Sequence, residues 1–390
     1  MFNPIAPEFL ENPYPTYATL RREAPVYRHP GGFHAVTRYD GVMQVLRDPE
    51  VFSSQAMGGS SPMVGPDGRN LPTSGALIAQ DPPIHTQQRN IVNRGFTPRR
   101  ISDLEPRVRE VVDELFAKFE HQGSCDLVRD VSGPLPVTMI AELLGLDIER
   151  RDDLKRWSNA LIVGGTSPSQ RDQMQENLRS INEFREYMEE FIDRRRSDPQ
   201  DDLVSMLIDA EEDEGVLDAG QVFGFATLLL AAGSETTTNL IGNAILALLA
   251  HPEQLEELRA NLSLVPNALE EALRYDSPVQ LLMRVCVQPT EIGDFELPQG
   301  SFVMPIIASA NRDEARFDEP DRFDVHRNTQ GHLAFGLGNH FCLGAALARL
   351  EAKVALENIL ERLPNLRLAG DVARHGSFLV RGPSALPLHF

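Results

Sequence analysis

The most reactive side chains of the sequence gather in Phe335-Gly-Leu-Gly-Asn-His-Phe-Cys-Leu-Gly-Ala-Ala-Leu-Ala-Arg-Leu-Glu351, a glycine-rich stretch leading into an apolar, alanine-rich run of helical character. Gly336, Gly338 and Gly344 permit a tight loop and the close approach of a flat object. A cysteine at a helix N-terminus accepts backbone N–H bonds and feels the positive end of the dipole, which lowers its pKa. Cys342 stands at such a place and is expected to be an anionic sulfur. Its possible uses are nucleophile, metal ligand or inert buried residue. Zinc asks for three or four nitrogen or sulfur ligands, and His340 with Cys342 supplies two. A nucleophile asks for a base, normally from a distant segment, and His340 lies two residues away. A sole axial thiolate to haem iron needs one cysteine. Spacing alone does not choose among these.

A second candidate is Ala232-Gly-Ser-Glu-Thr-Thr237, at the end of the twelve-residue apolar stretch Val222–Gly233. A carboxylate and a hydroxyl buried in an apolar helix are costly unless partnered, so Glu235 and Thr236 point to function. The plainer alternative for Thr236 is a bond back to the i−4 carbonyl. His85 and Arg89 stand four apart, both donors suited to carboxylates. Glu271 and Arg274 stand three apart, an ordinary helix-face pair.

These groups need elements to position them. Helical periodicity is clear in Val108–Phe116 and Phe184–Ile192, and long helices fit 220–250, 266–275 and 343–362. Strand signals are few: Ser301–Ser309, after the turn Pro298-Gln-Gly300, and Gly32–Thr37. The expected fold is mainly α with a small β region. The loop Gln55–Gln80, rich in glycine and proline, is a candidate gate. The acidic run Asp209–Glu214 reads as a solvated loop.

Composition narrows the function classes. The 390 residues carry 37 Lys and Arg against 57 Asp and Glu, so 37 − 57 gives a net charge of −20, which disfavours nucleic acid and anionic lipid. Three separated cysteines without a C-x-x-C pair suggest a reducing compartment. No apolar run approaches the roughly 20 residues of a membrane span, and the first residues have no leader character. A cytoplasmic protein without a membrane anchor is expected. Against the acidic background, residues 89–109 hold six arginines: Arg89, Arg94, Arg99, Arg100, Arg107 and Arg109. Such an island is either a salt-bridged helix face or a local positive surface.

Phe335-x-x-Gly338-x-His340-x-Cys342-x-Gly344 resembles the cysteine-loop signature of the cytochrome P-450 superfamily, the haem-thiolate monooxygenases, in its soluble bacterial form. Four further motifs follow the family's order between Asp81 and Glu351. Ala232 to Thr237 is similar to the central-helix motif, where the resemblance implies that Gly233 gives room at the haem face and that Thr236 with Glu235 manages protons. Glu271 and Arg274 with Pro320-Asp-Arg-Phe323 resemble the family's Glu-Arg-Arg core, which would lock Arg322 onto them. His85, Arg89, Arg284 and His340 would supply donors to the two haem propionates. The resemblance implies a single domain over 1–390, haem b with Cys342 as axial ligand, and insertion of one oxygen atom from O2 into a lipophile of fatty acid, terpenoid, steroid or macrolide type. Phe225, Leu228, Leu229, Val279, Leu281, Leu282, Phe378 and Leu379 would line the pocket, with the segments 55–80 and 161–165. An acidic iron–sulfur ferredoxin and its reductase would supply electrons to a monomer, docking on Arg94, Arg99, Arg100 and Arg109 with Arg349 and Lys353. Rival readings are a peroxide-driven peroxygenase, a haem sensor or carrier, and a Cys342–His340 hydrolase.

Overall fold

The computed structural model describes residues 2–57, 77–163, 171–212 and 217–390. The helical periodicity of the sequence becomes a set of packed helices, six of which shape the site: α1 (Ile84–Asn93), α2 (Pro134–Leu144), α3 (Arg151–Val163), α4 (Ala219–Ala250), α5 (Val265–Tyr275) and α6 (Ala345–Arg362). The two other periodic stretches lie in helices Glu105–Phe116 and Arg171–Ser197. Most of the gate candidate, and Gly164, Gly165, Asp213 and Glu214, lie outside the described residues. The acidic run is a loop in part at most: Asp209 to Glu212 end the helix Leu203–Glu212, where Glu211 and Glu212 pair with Arg196 of the preceding helix.

Helix α4 is the hub, because it is apolar on nearly every face and so must be covered all round. Its N-terminal half buries Phe225, Ala226 and Leu230 in one core with α2 and α3. Its C-terminal half buries Leu240, Ile241, Ile245 and Leu248 in a second core with α5 and α6. Asp218 starts it with a reciprocal cap: its side chain accepts from the Gln221 N–H at 2.9 Å and its own N–H donates to Gln221 Oε1 at 2.9 Å. Such a cap satisfies two otherwise unpaired donors.

The small sheet comprises β1 (Val26–Arg28), β2 (Phe33–Val36), β3 (Phe52–Ser53), β4 (Arg284–Cys286) and β5 (Phe302–Pro305), in the order β1-β2-β5-β4-β3. Pairing is antiparallel except between β2 and β5, where Phe33 faces Phe302. The strand expected over 301–309 is half that length. Pro305, with no N–H to extend the ladder, closes it, and the chain turns helical over Ile307–Ala310.

One expected contact is different. Arg274 meets Glu271 in two bonds of 2.7 and 2.8 Å, both side chains fully buried. The third member is Arg327 and not Arg322: Arg327 Nε lies 3.1 Å from Glu271 Oε1, while the Arg322 side chain is 60% exposed beside Glu319. Arg322 contributes its carbonyl oxygen, which accepts from both Arg274 and Arg327. The guanidinium belongs at 327 because from there it also reaches the Glu319 carbonyl, at 3.1 Å, tying the 318–327 meander to α5.

Candidate active site

A cavity holding about 1460 Å³ of space free of protein atoms, its mouth included, separates α4 from the cysteine loop. Ala232, Gly233, Thr236 and Thr237 form one wall, and Phe335, Gly336, His340, Cys342 and Gly344 the other. The loop is closed by the Cys342 N–H donating to the Phe335 carbonyl at 2.8 Å. Gly336 and Gly338 have φ of +71° and +70°, and a Cβ at Gly338 would sit 3.0 Å from the Leu46 carbonyl oxygen, so glycine is required there on two counts. Gly344 has no such constraint on its φ, and nothing lies within 4 Å of where its Cβ would stand; the flat approach is left open. Arg349 anchors the loop, stacking 4.4 Å from the Phe335 centroid and bonding Glu270 of α5 at 2.6 Å.

The Cytochrome P450 family model matches residues 25–365. The chain belongs to the cytochrome P450 family. The Vitamin D(3) 25-hydroxylase of Pseudonocardia autotrophica is 38% identical, over 97% of this chain and 94% of that protein. Cytochrome P450 CYP109Q5 from Chondromyces apiculatus superposes with a TM-score of 0.90 at 45% identity, covering 100% of this chain and 97% of that one. CYP109E1 from Bacillus megaterium, solved in complex with testosterone, superposes at 0.90 with 36% identity, covering 98% of each.

P450s carry haem, and the donor set around this cavity fits it. Arg284 is buried, and burial lowers its pKa to about 10, with Asp81 opposing. Arg89 is likewise lowered by burial. The His85 Nε2 is buried with no partner among the described residues, and its ring lies 4.3 Å from that of His340. Burial, then Arg284, His85 and Arg89, push His340 down to about 3. Cationic and donor groups so crowded and so dry call for an anion, and the two carboxylates of haem meet that demand. His340 Nε2 also lies 2.9 Å from Ser54 Oγ. Membership of the cytochrome P450 family sets aside the cysteine–histidine hydrolase reading.

Cys342 departs from the expectation of a lowered pKa. Burial raises it, against the Gly344 N–H, Arg89 and Arg349, because α6 begins only at Ala345 and desolvation outweighs the dipole. A neighbouring metal cation reverses that balance, since a coordinating thiol is deprotonated outright.

The central-helix residues divide. Thr236 faces the cavity and donates from Oγ1 to the Ala232 carbonyl at 2.7 Å. Gly233 is small because of its neighbour as well as the cavity: a Cβ would come 3.2 Å from Ile140 Cγ1 on α2. Glu235 is fully buried and does not line the cavity. Its Oε2 takes a 2.7 Å bond from Lys155 Nζ on α3, and its Oε1 lies 2.8 Å from His375 Nε2. Burial alone would raise this carboxyl, but Lys155 and then His375 hold it at about 2. A depressed carboxyl contributes stability that is full above its ordinary pKa and lost as pH falls through the folded value. The stability difference between the wild type and Glu235→Gln is therefore expected to shrink as pH falls from about 4.5 toward about 2, read by denaturant unfolding across that window.

Of the expected pocket residues, Phe225, Leu228, Leu229, Val279 and Leu282 line the cavity, joined by Ile140, Phe96, Leu240 and Ile307, which the sequence reading missed. Leu281, Phe378 and Leu379 do not. They pack with Phe9 and Tyr17 in a separate core, while Pro278, Val279 and Leu282 face the cavity. Lys155 and His375 were also missed, and no local pattern marks them. In the basic island, Arg107 meets Glu110, Glu114 and Glu142, and Arg109 meets Glu105 and Glu357. Arg349 and Lys353 are likewise paired, with Glu270 and Glu357. Arg99 is 92% exposed, with Asp103 at 3.9 Å, and Arg100 reaches only the exposed Asp201. The positive surface is thus narrower than the run of arginines implies.

Proposed function

We propose that the chain is a haem-thiolate monooxygenase that inserts one atom of O2 into a C–H or C=C bond of a lipophile. The observation that carries this reading is a single cavity with Cys342 on one wall and, facing it, Thr236 among apolar side chains. Residues 1–390 form one such domain, acting as a monomer in the cytoplasm. No helix among the described residues is long and apolar enough to cross a membrane.

Haem, when bound, supplies the reductive activation of O2. Cys342 would hold the iron, with the Gly344 N–H on its sulfur to steady the thiolate. Arg89, Arg284, His85 and His340 would take the propionates. Phe225, Leu228, Leu229, Ile140, Val279 and Leu282 exclude water and press an apolar substrate against α4. Thr236 Oγ1, with its proton engaged by Ala232, keeps its lone pairs free to accept a hydrogen bond in the cavity. Glu235, one residue away and held as a carboxylate, is the group through which protons would pass. This alcohol and acid pair favours dioxygen over peroxide as the oxidant.

The relatives named for vitamin D3 hydroxylation and solved with testosterone support a steroid-sized lipophile. The test is a panel of steroids, macrolides, terpenoids and fatty acids, scored for the low-to-high spin shift of the haem-loaded protein. Hits are then turned over with a ferredoxin and reductase under ¹⁸O2. One labelled atom in the product is expected; a spin shift without labelled product with any hit marks a sensor or carrier. Electrons come from an acidic iron–sulfur ferredoxin and its reductase. Reversing charge at Arg99 and Arg100 is expected to slow reduction severalfold and flatten its salt dependence, measured by stopped flow. Unchanged rates at low and high salt remove the dock.

A further inference from the structure

We propose that His375 is the port through which solvent protons reach Glu235, with Lys155 as the fixed counter-ion. This rests on the reading of Glu235 as the group through which protons pass to the site. His375 Nε2 and Glu235 Oε1 lie 2.8 Å apart as an ion-pair contact, and neither atom is otherwise satisfied by a hydrogen bond, nor is the contact itself aligned as one, among the described residues. The imidazole is not sealed in. Its side chain is 12% exposed and lines a crevice of about 270 Å³, mouth included, formed with Phe9, Gln280 and Arg374 behind the N-terminal helices. That crevice is separate from the substrate cavity, so water can meet His375 while a lipophile fills the other side of α4.

The two partners of Glu235 differ in kind. An alkylammonium keeps its proton near neutral pH, whereas an imidazole is the side-chain type that exchanges there. Lys155 Nζ is 2.7 Å from Oε2 and 3.4 Å from Thr238 Oγ1, a geometry that fixes the carboxylate. The charged and titratable groups around His375 are Glu235 and Lys155 on the α4 side, Arg374 next to it, and beyond these Arg381, Asp276, Tyr14 and Glu11. Arg381 and Tyr14 are both engaged by Asp276, at 2.8 and 2.7 Å, which leaves Glu235 as the carboxylate in contact with the imidazole.

The step is balanced in protons and moves no electrons. A proton enters from the crevice at Nδ1, the Nε2 proton passes to Oε1, and the ring returns to neutral. Charge is annihilated within the buried pair: imidazolium and carboxylate become imidazole and carboxylic acid. The neutral acid loses its hold on Lys155 and can pass its proton across α4 toward Thr236. His375 acts through Glu235 and is a positioning and relay residue.

The test uses the haem-loaded full chain and reads the Glu235 carboxyl directly by infrared difference spectroscopy, with the band assigned by its loss in Glu235→Gln. In the wild type the band is expected to change in a step near neutral pH, where imidazoles as a class exchange protons. His375→Gln is expected to abolish that step, while Lys155→Met keeps it. In turnover, His375→Gln is expected to lower the proton-dependent rate about tenfold or more and remove its near-neutral pH dependence. Retention of both the band step and the pH profile in His375→Gln overturns the proposal; His375→Asn gives the same readout should the glutamine variant fold poorly. Should Glu235→Gln turn over as the wild type does, the role given to Glu235 fails, and the band step still decides whether His375 is coupled to it.

Discussion

Cys342→Ala is expected to give a reduced, CO-bound protein whose Soret band lacks the red shift of thiolate ligation, and turnover is expected to fall to background. The reason is electronic, because thiolate donation is what favours O–O cleavage and no other cysteine can supply it. Cys125 and Cys286 are buried in the cores, where burial pushes their thiols up to about 12 and about 11. Neither lines the cavity. Cys125→Ala and Cys286→Ala are therefore expected to leave the spectrum unchanged and to cost only about 1–2 kcal/mol of stability. The CO difference spectra of the three variants decide the ligand, and a thiolate-type band surviving in Cys342→Ala would sink the assignment.

Arg327→Ala is expected to be strongly destabilising, and Arg322→Ala nearly silent. Glu271 is fully buried and is satisfied by Arg274, by Arg327 and by the Asp324 N–H at 2.9 Å. Removing Arg327 takes one cation from a dry carboxylate and frees several carbonyls of the meander. Breaking a buried pair in this way costs about 3–5 kcal/mol, a large part of the roughly 5–15 kcal/mol that holds a domain folded. Haem retention should fall with it, because the meander leads into the cysteine loop. The Arg322 side chain is solvated beside Glu319 and Asp324, so its loss should stay within about 0.5 kcal/mol. Equal denaturation midpoints for the two variants would contradict the network.

Much of the site is legible because its signals are local. The glycines around Cys342 report a turn that only glycine can make, as the +70° φ of Gly338 shows. The i, i+4 and i, i+3 spacings of His85 with Arg89 and of Glu271 with Arg274 are properties of a single helix. The unbroken apolar face of α4 reports its own burial. Arg322 misleads because it stands in the right short pattern, while the contact is made five residues later, after the chain has turned.

The sequence by itself determined the family, the helix-rich architecture and the cysteine that faces the cavity, since these follow from order and periodicity along the chain. Only the tertiary structure decided that Glu235 is bracketed by Lys155 and His375 from remote segments, and that Arg107 and Arg109 of the basic island are paired with acids of their own helix and with Glu142 and Glu357 of others. It also decided that burial raises the thiol of Cys342 and lowers His340, which local sequence had pointed the other way or left open. Protonation and pairing depend on how far each group is from water and on which charges approach through space, and those quantities exist only once the helices have packed.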